Sequence, residues 1–546
     1  MYKIKLKSSI LYLALTLPFF GFSQAKLSKD FKISVGTPYQ VVDAHMKNYT
    51  SIDDGKGRTI SFKTRGDVVT VQVYDYNSMK ESSRKVYQDF PKYTKVQEIL
   101  KAGDHIYYVF QAYNKKAKTF SVYSREVDTE KGTFKEIKKL FTTKRPVTMI
   151  PQLAGAIQNA YGMGNDLKPK FSVIPSFDGS KILIRYRLKP KSRSDATNYD
   201  ELGFYVYDNS FNEVWGKEVK MPYTEKKMNN LAYTVGSDGT AYMLALINAN
   251  KSFELLSVDA NGLKSHKLDL KKDLMFNQFK LAETKKGNIV AVGYYAHGLD
   301  FSYGFGGGAL SWNMEGLYSF EIDKTGKLIR QNEYPFDTDF IKQYKSARQK
   351  GKVDKRDTKG HAGINDLLIR NFILNDDNSM VVIAEKNYTK NEWYGTGTQY
   401  VTHFGNMIVT KIKADGSLDW MKKLPKNQAC VAKDVSALKG LGMTYMSGEG
   451  AHYIIYVDNR KNAFLTLNQV PVAHKGGYGG YLSAYKVDDT TGEVEKLIIL
   501  DLTDINGKKA YQFHTTRIFK AKEKTFLLEF YAKGKKDNVV KIEIVK

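Results

Sequence analysis

"GLYSFEIDKTG", residues Gly316 to Gly326, carries the reading that decides the fold. Tyr318, Phe320 and Ile322 alternate with Ser319 and Glu321, which is the period of a β-strand. The Asp-Lys-Thr-Gly that follows supplies the residues a hairpin reversal demands. The same pairing of strand and turn recurs at Asp75-Tyr76-Asn77, "DTEKG" from Asp128, "DNSFN" from Asp208, "DANG" from Asp259, "ADG" ending at Gly416 and "DDTTG" from Asp488. Upstream of these turns lie further apolar runs such as "SKILIRYRL" (180–188), "AYMLALI" (241–247), "GNIVAVGYY" (287–295) and "AHYIIYVD" (451–458). The unit is therefore two strands, a third, a hairpin and a fourth.

A four-stranded antiparallel unit repeated about seven times fits the blades of a propeller. With 37 Tyr and 29 Phe against 12 Pro, the composition favours strands over helices. The last unit, "KTFLLEFYAKGKKDNVVKIEIVK" (524–546), supplies two strands, while "FKISVGTPYQVVDAH" (31–45) belongs to no complete unit. Pairing these ends would remove both open edges. The expected fold is all-β: a single propeller of seven or eight four-stranded antiparallel blades over 26–546, closed by N- and C-terminal strands.

"IPSFDGSKILIRY" (174–186) and, more loosely, "VGSDGTAYMLAL" (235–246) resemble the strand openings of propellers related to the periplasmic translocation protein TolB. That resemblance implies that the Asp and Gly form the tight turn into the second strand of a blade. The "FSQA" stretch and the Tyr- and Lys-rich strands resemble exported, uncharacterised propellers of Bacteroidetes, which implies an envelope location.

Lys3, Lys5 and Lys7 precede an apolar run from Ile10 to Phe22, and Ser23-Gln24-Ala25 offers small residues for cleavage. Residues 1–25 are expected to be an export signal. The protein would then reside in the periplasm, at the outer membrane or outside the cell, peripheral to a membrane at most, as a monomer. Cys430 is the only cysteine, so no internal disulfide forms and the residue is expected to be a buried small apolar one. The net charge of +26 favours anionic partners: polysaccharide, lipopolysaccharide or an acidic envelope protein, with no nucleic acid expected.

Labelling strands A to D from the propeller axis outward puts the aspartate turns between C and D. The long insertions at 187–203, 296–316, 386–406 and 467–481 then fall between B and C. Those at 142–170 and 338–366 fall between D and the next A. Both kinds of connection leave the same face, where long loops on a rigid scaffold commonly bind ligands. The candidate ligand-binding residues are His297, Tyr303, Trp312, Trp393, Tyr394, His403, His474 and Tyr478, with Tyr481 beside them. Flat aromatics can stack on sugars or peptide side chains. The histidines, with His361, are also weighed as metal ligands, but no local pair of metal-ligand spacing supports this, and neither metal nor cofactor is expected. Asp300, Glu315 and Glu392 are candidate acid and base groups. Lys350, Lys352, Lys355 and Arg356 are read as an electrostatic arm that begins with a helical turn and continues as polar chain. "GFGGGALS" lacks the Lys-Ser/Thr of a phosphate loop. The functional expectation is a binding or scaffold protein for an anionic polymer or protein partner, without catalysis of its own; the alternative is a carbohydrate-active hydrolase or lyase.

Overall fold

The computed structural model describes residues 27–545 apart from 43–47, 149–169, 249–251, 272–273, 298, 305–306, 359, 361, 395–396, 433, 435–437, 439, 512–514 and 523. The residues of the expected export signal, His361 and most of the 142–170 insertion lie outside the described residues.

The chain is mostly β, and eight of its sheets contain a four-strand antiparallel path. The first seven follow one another along the chain, over 48–87, 94–142, 171–224, 228–268, 275–335, 367–424 and 444–501. The eighth joins Ile518–Lys522, Thr525–Ala532 and Lys536–Ile544 to the N-terminal strand Phe31–Val35. Phe31 pairs with Ile544 and Val35 with Val540, so the first strand of the chain completes the last sheet.

All seven aspartate turns connect strand C to strand D. Their mechanism is shared: the carboxylate accepts backbone N–H groups two to four residues on. Asp128 accepts from Glu130 and Lys131, Asp259 from Asn261 and Gly262, Asp323 from Thr325 and Lys327, and Asp488 from Thr490 and Thr491. Gly326 and Gly416 sit at φ of 84° and 86°, a conformation that favours glycine. The Asp178-Gly179 turn leads from strand Phe171–Pro175 into Lys181–Leu188, and Asp178 accepts from the Ser180 N–H.

The inner strands are buried on both faces. Ala241–Ile247, Gly316–Ile322 and Ala451–Asp458 are buried along their whole length, which explains why they read as nearly unbroken apolar runs. Each sheet packs on the next through its own apolar cluster, such as Leu183, Phe204, Met243 and Leu256 between the third and fourth. One cluster joins the seventh sheet to the eighth, and Tyr74, Tyr76, Ala521, Leu527 and Val539 join the eighth back to the first. The sheets thus form a cyclic series. A register shift recurs between strands A and B in five of them, at 96–98, 230–232, 276–279, 369–371 and 520–522.

The seam between the eighth and first sheets holds a buried charge cluster. Lys63 Nζ lies 2.5 Å from Glu529 and 3.4 Å from Asp537, and Arg517 lies 3.6 Å from Asp537. The Tyr39 hydroxyl donates to Glu529, and the Tyr74 hydroxyl lies 3.0 Å from that of Tyr39. Burial opposes ionisation of Glu529, yet Lys63 and Arg517 outweigh it and hold the carboxyl below the usual carboxylate range.

At the end of the sheets where B–C and D–A connections emerge, two insertions differ from expectation. The 386–406 stretch is not a loop: strands Met380–Tyr394 and Gly397–Ile412 run on past the sixth sheet as one long hairpin. Nor does the 338–366 stretch continue as polar chain after one helical turn. It forms helix α1 (Thr338–Lys342) and helix α2 (Ala347–Asp357), because Asp337 caps the first and Ser346 with Gln349 forms a capping box on the second. The glycine-rich 296–316 stretch holds a hairpin of Leu299–Gly304 and Gly307–Met314 that pairs onward with Ile364–Asn365. Sequence reading overlooked the D–A connection around 425–443, whose strand Gln428–Val431 joins the long hairpin to His474–Lys475.

Candidate anion-binding site

The long hairpin places its side chains by simple alternation. Its register slips between Glu385↔Met407 and Asn387↔Phe404, leaving Lys386 in a bulge that aims it away from the regular ladder. Beyond the bulge, Tyr388 lies opposite His403, Lys390 opposite Val401 and Glu392 opposite Gln399. Tyr388, Lys390, Glu392 and His403 therefore share one face. The Tyr388 and His403 rings stack with centroids 4.7 Å apart and planes 9° from parallel. Glu392 lies 2.7 Å from His403 Nε2 and 2.6 Å from Lys390 Nζ. Lys386 Nζ stands 5.1 Å from the centre of the Tyr388 ring.

Three more groups reach this face from the helical insertion: Lys345 between α1 and α2, Arg356 near the end of α2, and Asp366 just past Ile364–Asn365. Tyr344 and Asp366 have φ of 59° and 60°, unusual for residues with side chains. The Asp366 carbonyl accepts the Asn387 N–H at 2.9 Å, which ties that corner to the hairpin.

The electrostatics are one-sided. Burial, with Lys386 and Arg356 nearby, pushes Lys345 down to about 8. Burial also lowers Lys386, against the pull of Asp366. Burial lifts the Asp366 carboxyl to about 6 and the Tyr388 phenol to about 12. It lowers His403 in spite of Glu392, so the imidazole is neutral at pH 7. Among the described residues neither Lys345 nor Lys386 forms an ion pair. Lys345, Asp366, Lys386, Tyr388 and His403 are all half-buried: the lysine charges are partly stripped of water while part of each side chain's surface still meets it, as in a recess.

Beneath the recess burial, with Lys345 and Lys386 nearby, pushes Lys423 down to about 7. Lys423 donates to the carbonyls of Phe340, Ile341 and Gln343 at 2.9 to 3.1 Å, at the end of α1. Buried Glu385 accepts from Arg370 at 2.8 Å and pairs with Lys426 at 2.6 Å. The recess can hold an anionic group on its lysines while a flat ring meets the aromatic pair.

Of the residues singled out from sequence, His403 lies in this recess and Arg356 borders it. Lys350, Lys352 and Lys355 stand exposed on α2, whose Val353 is buried. Trp393 is 73% exposed near the hairpin tip, on the opposite face from His403, and the Tyr394 side chain lies outside the described residues. His297 belongs to the fifth sheet's insertion and pairs with Glu315 at 2.5 Å. Tyr303 and Trp312 are on the glycine-rich hairpin; their side chains, and that of Asp300, lie outside the described residues. Gln428 opposes both Phe404 and His474, whereas Ala429 opposes His403, so His403 and His474 point to opposite faces of one sheet. His474 is buried, as is Tyr481, while Tyr478 is 45% exposed. His403 and His474 therefore do not meet, and among the described residues no three His, Cys, Asp or Glu side chains gather as a metal-ligand set. Cys430 is buried among Phe404, Leu438 and Leu441. Lys345, Asp366, Lys386 and Tyr388 were not singled out from sequence. The period-2 run Lys386, Tyr388, Lys390, Glu392 was the signal that could have found the hairpin face.

No family model matches the chain, and no curated protein matches it. Among solved structures it is similar to a protein of unknown function from Dyadobacter fermentans, at 10% identity and a TM-score of 0.29 over 94% of this chain and 99% of that one. It is similar to prolyl oligopeptidase B from Galerina marginata, at 8% identity and a TM-score of 0.37 over 94% of this chain and 55% of that one. It is also similar to a polysaccharide lyase described as an ulvan lyase, at 10% identity and a TM-score of 0.36 over 81% and 90% of the two chains. The chain spans about half the length of the prolyl peptidases it matches. Its structural neighbours include further uncharacterised bacterial proteins.

Proposed function

We propose that the eight sheets are the blades of one propeller, and that the recess beside its long hairpin binds the acidic groups of an anionic polysaccharide. One observation carries the binding reading: Lys345 and Lys386 stand half-buried without ion pairs beside a stacked Tyr388–His403 pair. A desolvated cation held in no ion pair raises the free energy of the fold, and an acidic ligand relieves that cost. The exposed lysines of α2 extend the positive field outward and steer an acidic chain toward the recess. The basic leader followed by Ile10–Phe22 supports export, so the polymer would be met in the envelope or beyond it.

Titration of the purified chain with alginate, polygalacturonate and chondroitin sulfate, and with dextran as a neutral control, tests the proposal. Binding should be selective for the acidic polymers and weaken at high salt. Equal affinity for dextran, or unchanged affinity in a Lys345→Ala/Lys386→Ala variant, would overturn it.

A further inference from the structure

The geometry points to an eliminative activity in this recess: cleavage of a 4-linked uronate chain, with His403 as base and Tyr388 as acid. The inference rests on the proposal that the recess binds acidic polysaccharide, and it adds chemistry to that binding.

A polymer-binding surface needs charge and flat rings. It does not need a phenol and an imidazole nitrogen left without partners in the same recess. Among the described residues the Tyr388 hydroxyl has no hydrogen-bond partner, and His403 uses only Nε2, held by Glu392. A carboxylate on Nε2 fixes the proton there and leaves the Nδ1 lone pair outward, which is how a histidine is prepared as a base. Lys390 pins the same carboxylate at 2.6 Å, so the imidazole is oriented by two groups on its own strand face. The parallel rings, 4.7 Å apart, set phenol and imidazole within the span of one sugar residue.

The cations define the substrate. Taking a proton from a carbon next to a carboxylate builds negative charge on that carboxylate, and preformed, partly desolvated cations stabilise such charge most. Lys345 and Lys386, with Arg356 beside them, are placed for this. The step balances without a co-reactant. His403 Nδ1 takes the C5 proton of the uronate, and the C5–H electron pair becomes the C4–C5 double bond. The C4–O bond breaks, and the departing oxygen takes the Tyr388 phenolic proton. Proton return from His403 to Tyr388 through solvent restores both groups. Both begin in the required form, since burial lowers His403 and lifts Tyr388.

The test follows double-bond formation by its ultraviolet absorbance, with the full chain and the same acidic polymers, while binding is measured in parallel. The expected result is turnover by the native protein that falls about 100-fold or more in His403→Gln and in Tyr388→Phe when all three are compared at saturating polymer. Glu392 is a positioning residue, and its Gln variant should also move the acid limb of the pH–rate profile to lower pH, because the carboxylate favours the imidazolium; a merely structural role would lower the rate without moving that limb. Binding without absorbance would overturn the elimination and leave the binding reading intact. Neither binding nor absorbance would overturn both.

Discussion

The seam between the eighth and first sheets and the recess beside the sixth are both built from partly or wholly buried lysine, arginine and carboxylate, yet they solve opposite problems. At the seam Lys63 and Arg517 meet Glu529 and Asp537 within 4 Å, and two tyrosine hydroxyls complete the cluster. In the recess Lys345 and Lys386 crowd one another and Arg356, and Asp366 is the carboxyl that faces Lys386. The first arrangement spends its attractions inside the fold. The second leaves them open to something that arrives from outside. Residue type and burial alone would not separate the two regions; the balance of charge around each lysine does.

The largest test of this contrast is stability. Removing one member of a buried, paired cluster costs about 3–5 kcal/mol, because it strands the remaining charge. Glu529→Gln and Lys63→Met should therefore lower the urea midpoint strongly. Lys386→Met should leave it unchanged or raise it, because a repelled cation is removed. Equal losses at both places would break the contrast. The next test is binding. Each charge-assisted hydrogen bond contributes about 1.5–3 kcal/mol, so Lys345→Ala with Lys386→Ala should weaken titrations with acidic polymer by at least about tenfold. Folded Lys350→Ala, on the exposed side of α2, should show a smaller loss that disappears at high salt.

The last test is the pH dependence of stability. An unfolded lysine titrates near pH 10.4, whereas in the fold Lys345 releases its proton at about 8. Between those values the unfolded chain holds more protons than the folded one, so this group makes stability rise with pH across that window and leaves it flat below. Lys345→Met should remove that part of the rise, read as the difference between the two proteins' melting temperatures from pH 8 to pH 10. An identical pH profile in both would place Lys345 in water rather than in a recess.

Much of the scaffold was legible in the chain because turn chemistry is local. An aspartate that accepts N–H groups two and three residues ahead leaves its mark within five residues, and all seven such turns lie between strands C and D. The placement of insertions at the B–C and D–A end followed from counting strands. The recess was less visible for an equally physical reason. Lys386 and Tyr388 continue an apolar strand and read as its fraying end. Lys345 and Asp366 reach them only because the 338–366 insertion folds back against the sixth sheet, touching Lys423 and Asn387, which no local pattern encodes. Aromatic and histidine content drew notice to His297 and His474, but in a sheet a shift of one residue reverses the face, and His474 turns inward where His403 turns out.

The N-terminal strand pairs with residues at the far end of the chain, and the Val545 N–H donates to the Asp30 carbonyl at 2.9 Å. During synthesis, then, the first strand made waits longest for its neighbours. The seven sheets that precede the eighth can assemble in order, but the two ends of the series stay uncovered until the C-terminal strands arrive. Because Asp30 and Val545 lie side by side, a short linker between those two residues, with new ends cut at an exposed C–D turn, would make the slowest contact a local one. Such a permuted chain should fold faster while keeping the same sheets.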